Sequence, residues 1–155
     1  MDGKLYDLEV HFVHTLADQA SGAKKYTVYG VFFDVEEGGG EYNPFLASLF
    51  TSTDSHKHGY AQKPKVGVQE FFDSIKGGEE FWTYDGSFTT PPCTEGLNWI
   101  VAKKVQPISV AQLKEFTSRL ADDKAFANGR GNNRHVQPLN KRKLSVGTIV
   151  KEDDS

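Results

Sequence analysis

A mostly-β domain with one clear helix near its end is what this sequence predicts, and three observations carry the prediction. Residues 5–14, LYDLEVHFVH, alternate cleanly. Tyr6, Leu8, Val10, Phe12 and His14 fall on one side, and Leu5, Asp7, Glu9, His11 and Val13 on the other. The runs YTVYGVFFDV (26–35) and LNWIVAKKVQ (97–106) have the β-branched and aromatic content that suits strands. PISVAQLKEFTSRLADD (107–123) has helical spacing instead, with Val110, Leu113, Phe116 and Leu120 in one stripe and Ser109 as the expected N-cap.

The other elements are shorter. Pro44, tolerated in a first helical turn, opens a helix candidate at PFLASLFTS (44–52). VGVQEFFDSI (66–75) fits either type of element. EEFWTYDGSF (79–88) reads as a strand ending at Gly86–Ser87, and KRKLSVGTIV (141–150) as the last strand. No repeat and no low-complexity linker divides the chain, so one domain is expected over 1–150, followed by a solvated tail at 151–155.

The composition is that of a soluble globular domain: 155 residues, 37% hydrophobic and 25% charged. A net charge of −3 without a basic stripe argues against nucleic acid or an anionic membrane surface as partner. No apolar run approaches the length of a membrane span, and MDGKLYDLEVHF lacks the basic and apolar regions of a secretory leader. The one cysteine, Cys93, is a buried small hydrophobe, a reactive thiol, or half of a bridge to a cysteine elsewhere.

Two stretches attract chemical interest. On a strand, Glu9 and His11 point the same way, and an acid beside an imidazole suits a metal ligand with a carboxylate that orients it. The competing reading is a solvent-facing polar strand face. In GSFTTPPC (86–93), Pro91 and Pro92 lack N–H groups and push Thr90 to extended backbone. Such a stiff loop can hold the Thr89 hydroxyl in place for a small molecule, or be an ordinary rigid turn. His56 and His58 form an H-x-H, but their polar surroundings read as a solvated loop. His14 reads as a core histidine and His135 as a surface one. Nucleophile elbow, phosphate loop, paired CxxC and HExxH helix are all missing.

Taken in order, EVHFVH, YGVFF, WTYDGSFTTPPCTEGLNWIV (82–101) and NNRHVQPLN resemble the α-class carbonic anhydrases over nearly the whole chain. The resemblance implies a central, largely antiparallel twisted sheet with a few short peripheral helices, an α+β fold represented here incompletely. It implies a zinc lyase that turns CO2 and water into bicarbonate and a proton. By position, His11 resembles the third of three histidine ligands to Zn2+, and Glu9 the carboxylate that orients it. Thr89 resembles the threonine that aims a zinc-bound hydroxide, and Thr90 a neighbour that touches bicarbonate. Val13, Val28, Phe88, Leu97 and Trp99 match the apolar wall for CO2. A cis Pro91–Pro92 bond is implied as well. In such a site zinc lowers the pKa of bound water to about 7, a value that belongs to carbonic anhydrases themselves and comes with the resemblance.

The same resemblance shows what this sequence lacks. The family's first two zinc ligands form an H-x-H on an earlier strand that would precede Met1. The expectation is therefore a partial domain with one of three zinc ligands, inactive alone, and completed by self-association or by a complementing N-terminal chain. The alternative is a carbonic-anhydrase-related binding or structural module without metal. In secreted and luminal members a cysteine at the Cys93 position pairs near the domain's N-terminus, so a secreted or organelle-luminal location is implied.

Overall fold

The computed structural model describes residues 3–15, 26–50, 65–75 and 79–149. Its strands are β1 (Leu8–Thr15), β2 (Tyr26–Asp34), β3 (Glu80–Ser87), β4 (Glu95–Ala102), β5 (Gln106–Pro107) and β6 (Ser145–Thr148). They form one six-stranded sheet in the order β1-β2-β4-β3-β6, with β5 also on β2. The β1–β2, β3–β4 and β3–β6 joints are antiparallel, whereas β2 meets β4 and β5 in parallel. The mostly-β class holds, and the sheet is mixed at β2. Three short helices accompany it among the described residues: α1 (44–50), α2 (Val68–Ile75) and α3 (Val110–Arg119).

The alternation in β1 decides what each face does. Leu8, Val10 and Phe12 lie opposite Phe33, Val31 and Tyr29 of β2, and all join the larger hydrophobic cluster. Helix α1 brings Phe45 and Leu46 onto this face, and α2 brings Phe71 and Ile75. The four-residue spacing of Phe71 and Ile75 suits a helix, since one turn returns the chain to the same side, and the helix occupies Val68–Ile75 of the 66–75 run. The Phe12 ring lies 4.8 Å from Phe72 and 5.8 Å from Phe71, so the strand and the helix share one aromatic core.

Several expectations need correction. His14 is exposed, because the cluster under β1 ends at Phe12 and the strand runs past it. Val110 is 51% exposed, and the buried residue of α3 is Gln112. Gln112 is stable there because both ends of its amide are satisfied. Its Oε1 accepts from Asn43 N–H at 2.9 Å, and its Nε2 donates to Asn43 O at 2.7 Å. The Ser109 cap is as expected, with Oγ accepting from Gln112 N–H at 3.2 Å. The 97–106 run divides into β4 and β5. The last strand is shorter than expected, since Asn140 and Lys141 turn the backbone at φ 47° and 66° before it begins. His56, His58 and the tail lie outside the described residues.

Candidate active site

The second face of the same strands carries the candidate site. Glu9, His11 and Val13 stand opposite Phe32, Gly30 and Val28, and Val28 and Gly30 in turn pair with Trp99 and Val101. Period-two geometry thus gathers an acid, an imidazole and an apolar floor on one surface. Gly30 gives that carboxylate room: a Cβ there would sit 3.2 Å from Glu9 Oε1, a tight contact that would press the carboxylate aside by a few tenths of an ångström.

Glu9 Oε1 lies 2.9 Å from His11 Nε2, the buried nitrogen of the ring. The approach falls off the N–H axis, so the contact is one of charge and distance, short of a well-aligned hydrogen bond. With Nε2 facing Glu9, Nδ1 is the nitrogen left for any ligand. The imidazole also stands edge-on to Trp99, with ring centroids 4.8 Å apart. Packing and the carboxylate together fix the ring's orientation.

Val28, Leu97, Trp99 and Val101 form a separate buried cluster, edged by Tyr26, Phe32, Tyr84 and Phe88. The Phe88 ring meets Tyr26 at 5.2 Å in a T-shaped contact. Four of the five wall residues expected from the sequence, Val28, Leu97, Trp99 and Phe88, therefore come together. Val13 shares their face but is 53% exposed, because β1 is the outer strand of the sheet. A solute with no hydrogen-bonding hydrogens suits a wall of this kind.

The loop from Phe88 to Thr94 follows a register shift at Gly86/Ser87. Gly86 permits Trp99 to lie across it, since a Cβ would be 2.6 Å from Trp99 Cδ1. The indole N–H then donates to Ser87 O at 3.0 Å. Phe88 N–H donates to Thr94 O at 3.0 Å and Cys93 N–H to Thr90 O at 2.9 Å. The Pro91–Pro92 peptide is cis. Thr89 and Thr90 are exposed at the tip of this closed loop, and Cys93 is a half-buried free thiol.

One residue of the site escaped the sequence reading. Arg134 donates from one guanidinium nitrogen to Ser87 Oγ at 2.8 Å and to Phe88 O at 3.2 Å. It thereby anchors the start of the threonine loop from the NNRHVQPLN segment, for which the sequence reading assigned Arg134 no role. Its place in NNRHVQPLN, directly before His135, was the available signal.

The donor set for a metal is small. Among the described residues no three His, Cys, Asp or Glu side chains lie together so as to hold a metal ion. His11 offers one imidazole, and Glu9 is turned toward that imidazole. These residues by themselves do not fit a three-histidine zinc centre.

A mixed sheet with an acid–imidazole pair beside an apolar wall and a pinned threonine loop defines a carbonic-anhydrase-like class of domain. The comparisons make the assignment: the eukaryotic-type carbonic anhydrase family matches residues 1–147, and the chain belongs to that family. It is similar to a carbonic anhydrase of Dunaliella salina, 36% identical over 93% of this chain and 24% of that protein. A carbonic anhydrase of Nostoc sp. is 31% identical over 92% of this chain and 47% of its own length. Among solved structures, the α-carbonic anhydrase of Thermovibrio ammonificans in complex with sulfanilamide superposes with a TM-score of 0.62 at 34% identity. That match covers 92% of this chain and 55% of the other. The chain thus spans about half or less of the relatives it matches.

Proposed function

We propose that this chain supplies the CO2-facing half of a carbonic anhydrase site. The observation that carries the reading is Glu9 set against His11 Nε2 directly beside the Val28–Leu97–Trp99 wall. CO2, which offers no hydrogen to bond, rests against Val28, Leu97 and Trp99 with Phe88 at the rim. Thr89 orients the attacking oxygen by accepting its hydrogen, and Thr90 meets the bicarbonate product. Glu9 holds the His11 ring so that Nδ1 faces the space where Zn2+ belongs in this family. The family membership supports these roles, and the pinned loop is consistent with them.

No catalytic step is assigned to the chain by itself, because one imidazole does not make the metal centre. The reading therefore includes a completing partner: a second copy, or a polypeptide corresponding to the remainder of the relatives' domain. The exposed edge favours this, since β1 is bonded to β2 on one side and has no strand on the other among the described residues. A secreted or luminal setting, with Cys93 bridged to that partner, belongs to the same proposal. The lack of a three-residue metal cluster among the described residues favours one second reading, a non-catalytic binding module of this family. No described helix is long and apolar enough to cross a membrane.

The test is CO2 hydration followed by a pH indicator, with zinc added, on the chain alone and on its mixture with the N-terminal half of a carbonic anhydrase relative. The chain alone should not exceed the buffer rate, and the mixture should, with the gain abolished by His11→Ala. An inactive mixture that nonetheless forms a complex would favour the binding module.

A further inference from the structure

A hollow lies at the β3–β6 end of the sheet, sharing Tyr84 with the edge of the Trp99 cluster. It encloses about 470 Å³ and is lined by Thr83, Tyr84, Asp85, Asn98, Lys141, Arg142, Lys143 and Ser145. Its position follows from the topology. β6 pairs with β3 only from Glu80 to Thr83, and the chain before Ser145 swings clear, leaving a hollow beside Tyr84 and Asp85.

Three consecutive cations line this hollow, Arg142 held by backbone carbonyls and Lys141 and Lys143 exposed beside it. Asn140 and Lys141 both adopt left-handed φ, 47° and 66°, which side-chain-bearing residues seldom do. Sparsely populated backbone of this kind is a pointer to function when something else at the site agrees. Arg142 is fixed by three carbonyls: Nε donates to Leu139 O at 2.9 Å, and the terminal nitrogens to Asp85 O at 3.0 Å and Pro138 O at 2.8 Å. All three acceptors are neutral, so the guanidinium keeps its full charge and two further N–H groups. Among the described residues, no carboxylate lies within ion-pair distance of Lys141, Arg142 or Lys143. The three cations outnumber Asp85, the one carboxylate of the lining, and an anion in the hollow relieves their mutual repulsion.

The floor adds neutral donors. Thr83 Oγ1 donates to Asn98 Oδ1 at 3.2 Å, which directs the Asn98 amide hydrogens elsewhere. The Ser145 hydroxyl also lines the space. With Asp85 set against the three cations, the lining carries two net positive charges. That balance matches a phosphate monoester, which carries roughly −1.5 to −2 at neutral pH. The volume is in the range of small-molecule sites, roughly 300 to 1,000 Å³, and exceeds what a bare ion fills.

We propose that this cavity binds a small organic phosphate, its phosphate held by Lys141, Arg142 and Lys143 and its body lying over Thr83, Asn98 and Ser145. Glucose 6-phosphate, inorganic phosphate and glucose, each titrated into the full chain by calorimetry at low ionic strength, test it. Saturable binding of glucose 6-phosphate is expected, weaker binding of inorganic phosphate, and none of glucose. A Lys141→Ala/Lys143→Ala double variant, checked for an unchanged melting temperature, should weaken the ester by at least about tenfold. His11→Ala should leave the affinity as it is, which separates this hollow from the Glu9–His11 pair. No saturable binding, or equal binding by the double variant, overturns the proposal. Equal affinity for the ester and inorganic phosphate overturns its organic part.

Discussion

The two faces of β1 and β2 are built from alternate residues of the same strands and do opposite things. On one, Phe12, Tyr29, Val31 and Phe33 are covered by α1 and α2 and form the main core. On the other, Glu9 and His11 stand beside a smaller cluster, Val28, Leu97, Trp99 and Val101, edged by single side chains and by no helix. The contrast teaches that stability and chemistry are separated here by one residue of register. Moving a side chain by a single position transfers it from the packed layer to the reactive one. The face that holds the fold together is closed, and the face that holds the site stays open.

The sharpest way to break this contrast is to attack the closed face. Phe33 is fully buried, so Phe33→Ala should cost about 3–5 kcal/mol in denaturant unfolding. A cost near zero would mean that the helices do not cover the sheet as described. Next comes Gly86→Ala, which pushes Trp99 off Ser87 O. A loss of about 1–3 kcal/mol is expected, with a shift in tryptophan fluorescence as the indole loses its partner.

A pH experiment sharpens the closed face further. Glu79 is 6% exposed, and both its carboxylate oxygens lack a partner among the described residues. Burial pushes its pKa above the ordinary 4.5, with Lys104 offsetting part of the rise. The fold therefore holds that proton more tightly than the unfolded chain does. The resulting stabilisation is complete below the unfolded value and is lost as pH rises through the folded one. Glu79→Gln should remove that loss and raise stability at neutral pH by about 1–3 kcal/mol, with little gain at pH 4. The nearby Tyr29 hydroxyl, likewise buried and unpartnered, is pushed up to about 12, so it stays protonated throughout this window.

The smallest stability effect belongs to the open face. Glu9→Gln should change unfolding by no more than about 0.5 kcal/mol, because Glu9 is exposed and His11 is its only ion-pair partner among the described residues. It should instead free the imidazole ring, seen as broadened His11 side-chain resonances in NMR. A large destabilisation would show that the pair belongs to the core.

Much of this was legible in the sequence because local pattern determines it. Alternation placed Glu9 and His11 on one face, and Ser109 ahead of the Val110, Leu113, Phe116 and Leu120 stripe marked a helix start. The family resemblance pointed to Val28, Leu97, Trp99 and Phe88 as a wall. What sequence did not show depends on contacts between distant residues. The parallel join of β2 to β4 has no local signature, since either direction buries the same side chains. Gln112 is buried because Asn43, 69 residues away, meets both ends of its amide. His14 was misplaced for a related reason: whether a strand lies at an edge is a property of the sheet. Arg134 reaches Ser87 across 47 residues, a pairing no spacing announces.

The central claim is that the open face holds one part of a metal site and needs a partner to complete it. Zinc per chain, measured on gel-filtered protein together with its molecular mass, tests this most directly. The account predicts a monomer fraction with zinc near zero, and any stoichiometric zinc confined to associated species and lost in His11→Ala. One zinc per monomeric chain, retained through gel filtration and removed by His11→Ala, would contradict it.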